Sequence, residues 1–149
     1  MNEQNQDLIY DLQYLEASLG KIIALLAKYS ILNLSVSLHF IMKILVQFQF
    51  SIKQQAFQFD IRDVKKMQEF KEKLSSKVKS KDGYVALCGH SLACEFYLLH
   101  PLILKVLQKF NNSQFENEYL QFLLELDDYV LLCGQYINQS FLVDEIIYK

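Results

Sequence analysis

Between Leu32 and Ile61 the apolar residues alternate with polar ones in three separate runs. The first is Leu32, Leu34, Val36, Leu38 and Phe40, with Asn33, Ser35, Ser37 and His39 between them. The second is Val46, Phe48, Phe50 and Ile52, interleaved with Gln47, Gln49 and Ser51, and the third is Phe57, Phe59 and Ile61. Successive side chains on a strand point to opposite faces, so alternation of this kind predicts half-buried strands, here a three-stranded antiparallel meander. Residues 41 to 56 contain no Gly or Pro where hairpins normally want them. The competing reading is a helix from Leu34 to Ile52 using Leu38, Ile41, Leu45 and Phe48, which makes the fold mostly α.

Before the meander, Leu8, Leu12, Leu15, Leu19, Ile22, Leu26 and Tyr29 recur four and three apart, the a and d spacing of a long helix. Such a stripe needs a partner, either the chain's own core or another chain, and it is the candidate interaction surface. After the meander, Asp63 can cap a helix to about Lys79 with Val64, Met67, Phe70, Leu74 and Val78 on its apolar side. Seven lysines lie from Lys65 to Lys81, but with Glu69 and Glu72 among them and no aromatics on the polar face they read as a solvated surface.

Lys81, Asp82 and Gly83 form a turn signal before a short buried strand from Tyr84 to Cys88. Leu92 to Phe110 reads as helical, with Pro101 either kinking it or opening a second helix, and Asn111-Asn112 ending it. Ser113 and Glu116 have capping-box spacing for a last helix carrying Phe115, Tyr119, Leu123, Leu126 and Val130. Tyr129 to Cys133 is alternatively a strand, with Asp127-Asp128 as its turn, and Phe141 to Tyr148 is apolar enough to dock.

At 149 residues and 52% apolar the chain has the size and composition of one domain with a sizeable core, its first six residues being the part expected to fray. A net charge of -2 gives no general attraction to nucleic acid or anionic lipid. Cys88, Cys94 and Cys133 are an odd number, and the polar start lacks the basic region of a signal peptide, so a reducing intracellular setting is expected. The apolar stretch Ile22 to Ile52 raises a membrane-embedded alternative. Lys28 and Lys43, however, leave only fourteen uncharged residues between them, against about 20 for a spanning helix.

Chemistry can be named at one place, the Gly-x-Ser-x-Ala of Gly89, His90, Ser91, Leu92 and Ala93. It resembles the nucleophile elbow of the α/β-hydrolase family, in which a buried strand turns sharply into a helix and small residues flank the serine. The run from Phe57 to Arg62 also looks like the family's preceding strand ending in Asp-x-Arg. The resemblance implies Ser91 as nucleophile and the Leu92 N–H as an oxyanion-hole donor. It covers at most Phe57 to Phe110, and the family's order of serine, acid and histidine is not completed: His100 alone follows Ser91, and no histidine follows Asp127, Asp128 or Asp144.

Cys88, His90, Cys94 and His100 could be zinc ligands, but their spacing matches no paired-knuckle pattern, and neither metal nor cofactor is expected. The sequence thus predicts an intracellular α+β domain: a long N-terminal helix, a three-stranded meander and a helical C-terminal half. Its expected role is that of a noncatalytic interaction or structural subunit, with other protein subunits as partners and no nucleic acid. A degenerate or truncated hydrolase-like enzyme and a small membrane-embedded subunit are the alternatives.

Overall fold

A computed structural model describes residues 3–54, 59–111 and 117–149. Five helices account for most of them: α1 (Glu3–Lys28), α2 (Ser35–Gln54), α3 (Ile61–Ser75), α4 (Ser91–Asn111) and α5 (Asn117–Ser140). The strands β1 (Tyr84–Val85) and β2 (Ile147–Tyr148) pair antiparallel, Tyr84 opposite Tyr148 and Val85 opposite Ile147. The expected α+β fold with a three-stranded meander is therefore incorrect, and the mostly helical alternative describes the chain.

The alternation misled because it counted the wrong residues as buried. The core side of α2 is Leu38, Ile41, Ile44, Leu45, Phe48 and Ile52, all at most 1% exposed, and it follows helical spacing. Leu32, Val36 and Phe50, which the alternation placed inside, are 55–70% exposed. Two polar residues it placed outside are buried and satisfied: the Ser37 hydroxyl bonds the Leu34 carbonyl and the Tyr129 hydroxyl, and the Gln49 amide donates to Glu16. Of the third run, Phe57 lies outside the described residues, Phe59 is partly buried and Ile61 opens α3.

α2 is long and apolar enough to cross a membrane by length and composition, but its apolar face lies in the chain's own core. The N-terminal stripe has the same fate. Leu8, Leu12, Leu15, Leu19, Ile22 and Leu26 are at most 1% exposed and Tyr29 packs partly buried against them, so the stripe faces inward.

Side-chain pairs fix how the helices run. Lys21 bonds Glu95 while Asp11 meets Lys105 and Lys109, so α1 and α4 are antiparallel. His100 with Asp127 and His90 with Asn138 make α4 antiparallel to α5. α3 lies along α5 in the same direction, joined by Gln68 to Glu125 and Lys71 to Glu125 and Asp128. Phe48 of α2 reaches Tyr119 and Phe122 of α5, with ring centroids 4.4 and 5.6 Å away, and closes the bundle.

Local signals moved by a few residues. Asp60, not Asp63, caps α3: its carboxylate accepts the Arg62 N–H and its carbonyl the Asp63 N–H. α3 ends at Ser75, where Ser76 donates back to Glu72. α4 continues through Pro101 to Asn111. Tyr129 to Cys133 and Asp127-Asp128 all lie within α5. The capping box at Ser113 and Glu116, and Phe115 within it, lie outside the described residues.

Candidate functional site

The elbow residues form a helix cap. Ser91 is the exposed first residue of α4, and no strand runs into it, since β1 ends at Val85. The Leu92 N–H, cast as an oxyanion-hole donor, instead donates to Nδ1 of His90 at 3.0 Å. His90 is in turn fixed by its ring, stacked on Phe141 at 4.1 Å and edge-on to Tyr29 at 5.1 Å. Gly89 has φ +122°, and a Cβ there would overlap the side-chain amide of Asn138. That amide accepts the His90 N–H and donates to the Cys88 carbonyl, both within hydrogen-bond range at 2.8 and 2.9 Å. Gly89 is small because Asn138 of α5 approaches it closely.

Cys88 and Cys94 are free and partly exposed, whereas Cys133 is fully buried, which pushes its thiol well above the ordinary range. Among the described residues no three His, Cys, Asp or Glu side chains gather as a metal site would require. His100 lies two turns along α4 from Cys94 and turns to α5.

There it makes the most chemically loaded contact of the molecule. Nδ1 of His100 is 2.6 Å from Oδ1 of Asp127, with side-chain exposures of 28% and 12%. Burial raises the Asp127 carboxyl above its ordinary range, partly offset by the hydrogen bond from His100. Nδ1 is thereby held to the carboxylate and Nε2 is the ring nitrogen not engaged by it, the arrangement by which carboxylates orient metal-binding imidazoles.

The pair sits on the α4–α5 seam amid exposed leucines. Leu104, one turn on from His100, is 45% exposed, and Leu124, one turn before Asp127, is 55% exposed. Leu120 and Leu131 lie on the same side of α5 and are partly buried. Farther along α4, Lys105 and Lys109 converge on Asp11 of α1, one carboxylate between two ammonium groups. Sequence reasoning named His100 and Asp127 separately but did not join them, because in sequence they are 27 apart and only antiparallel packing brings them together.

Compared by sequence, the chain matches no family model and no curated protein. Compared by fold, it is similar to PduO-type ATP:corrinoid adenosyltransferases from Lactobacillus reuteri. Two are phenylalanine variants, replaced by alanine and by histidine, complexed with cobalamin and ATP; both have TM-score 0.88 and 16% identity. They match over 99% of this chain and over 87% and 85% of their own. An arginine-to-lysine variant complexed with ATP matches with TM-score 0.87 and 16% identity, over 99% of this chain and 89% of its own. The fold is thus that of these helical proteins and not of an α/β-hydrolase, which overturns the resemblance at Gly89–Ala93. The noncatalytic-subunit, hydrolase-like and membrane-subunit readings lose their basis with it, for a stripe, an elbow and a span are respectively core, cap and bundle helix.

Proposed function

We propose that the chain binds a corrinoid against the α4–α5 seam and takes part in transferring the adenosyl group of ATP to it. The observation that carries this reading is the His100–Asp127 pair, on a fold whose neighbours are held with cobalamin and ATP. A corrinoid is a broad, largely apolar ring around a metal. The leucines at 104, 120, 124 and 131 offer it an apolar bed, and His100 offers a ring nitrogen whose orientation Asp127 fixes.

The triphosphate of ATP needs cations, and Lys105 and Lys109 supply two on the side of α4 that faces α1, across the helix from His100. Asp11 neutralises one charge of the two, so the cluster keeps a net positive charge for phosphate. Three free cysteines accord with a reducing intracellular setting, which chemistry on a reduced corrinoid requires.

The test is turnover. Purified protein is incubated with magnesium-ATP and chemically reduced cobalamin, and the adenosylated, light-sensitive product and released triphosphate are quantified. The expected result is product formation that falls at least about tenfold in Lys105→Gln/Lys109→Gln and in His100→Ala. No product above the enzyme-free rate would overturn the adenosyl-transfer reading.

A further inference from the structure

We propose a second ligand site, separate from the α4–α5 seam, that takes a small apolar body bearing a single anionic group. It is the cavity of about 230 Å³ between the start of α2, the end of α3 and the middle of α5. Its walls are mostly apolar: Leu34 and Leu74 are 2% and 4% exposed, the rings of Phe70 and Tyr129 stand beside them, and the polar Asn33 at its edge spends its amide N–H on the Tyr136 hydroxyl. Lys73, in the last turn of α3, and Lys77, in the turn after it, are exposed residues that also line it, and no carboxylate does.

Neither lysine makes an ion pair among the described residues, whereas Lys71 on the same helix is taken by Glu125 and Asp128. The usual reason for lysines at this place is the helix dipole, since α3 ends at Ser75 with about half a negative charge. That explanation covers little here. Val36 and Ser37, in the first turn of α2, line the same cavity and contribute about half a positive charge, so the two helix ends offset each other and both lysine charges remain.

Inside, the Tyr129 hydroxyl is taken by Ser37 and the Ser37 hydroxyl by the Leu34 carbonyl, so the floor offers contact rather than hydrogen bonds. A ligand therefore enters apolar end first and keeps its charge at the rim. The cavity is smaller than the roughly 300–1,000 Å³ of drug-sized sites, which limits the body to about one ring or a short branched chain.

Titration of the intact protein with phenyl phosphate, benzoate, benzyl alcohol and inorganic phosphate tests this, followed by calorimetry and by methyl NMR of Leu34 and Leu74. The expected result is saturable one-site binding of phenyl phosphate or benzoate that shifts both methyl groups. Which of the two binds tighter tells whether the natural group is a phosphate or a carboxylate. Lys73→Gln/Lys77→Gln should weaken binding about tenfold or more, while Lys65→Gln, on the exposed face of α3, leaves it unchanged. Both charge variants lie at the surface and keep the fold. The proposal is overturned if neither aromatic anion saturates, if benzyl alcohol or inorganic phosphate binds as tightly, or if the double variant binds as the parent does.

Discussion

The imidazole of His100 and the carboxylate of Asp127 meet 2.6 Å apart across the α4–α5 seam, half-sheltered between two helices that run in opposite directions. Removing the charge from this pair separates its electrostatic cost from its positioning role. Burial raises the Asp127 carboxyl above its ordinary value of 3.8, so within a window above pH 3.8 the folded chain keeps a proton that the unfolded chain has released. The group's contribution is therefore favourable below that window and is lost as pH rises through it. Asp127→Asn should flatten this slope in urea-unfolding free energies measured across acidic pH. An unchanged slope would mean that the carboxyl is not the titrating group.

Gly134 of α5 sits against the ring of Tyr97, whose edge fills the space a Cβ would take. Gly134→Ala should cost about 1–3 kcal/mol by overpacking. In Gly134→Ala/Tyr97→Leu the clash is gone, so the double variant should be less destabilised than the two single costs added together. Strict additivity in denaturant melts would contradict this contact.

Asn138 ties the turn before α4 to α5 by one accepted and one donated hydrogen bond. Asn138→Ala should lose about 1–3 kcal/mol because it orphans the His90 N–H and the Cys88 carbonyl. Asn138 is fully buried, so Asn138→Asp keeps the acceptor for His90 but sets a carboxylate against the Cys88 carbonyl oxygen, and at neutral pH it should be destabilised at least as much as the alanine variant. Gly89→Ala should be worse than either, since its backbone at φ +122° and the Asn138 amide both exclude a side chain.

Ser91 has no base within the cap, as His90 spends Nδ1 on the Leu92 amide and its ring on Phe141. A fluorophosphonate probe should leave the intact mass unchanged, and Ser91→Ala should not alter corrinoid binding. Stoichiometric labelling abolished by Ser91→Ala would restore an activated serine.

Much of the helical pattern was legible. The four-and-three spacing from Leu8 to Tyr29 is the buried face of α1, and Val64, Met67 and Leu74 are buried on α3 as their spacing predicts. α2 was ambiguous because Leu34, Leu38 and Phe48 satisfy both periods. The deciding residues were Ser37 and Gln49, polar side chains made buriable by Tyr129 and Glu16, partners that sequence spacing does not show. The site was illegible for the same reason: His100 and Asp127 carry no local motif, and in the Gly-x-Ser-x-Ala that does, the glycine answers to the close approach of Asn138 and the serine opens a helix.

The most direct measurement is an absorbance titration of the purified protein with hydroxocobalamin and with reduced cobalamin, with and without magnesium-ATP, beside His100→Ala and Asp127→Asn. A corrinoid seated on the α4–α5 seam predicts a saturable spectral change in the parent, lost in His100→Ala and weakened about 10–100-fold when the partner carboxylate is removed. Absence of saturable binding, or binding indifferent to His100, would contradict it.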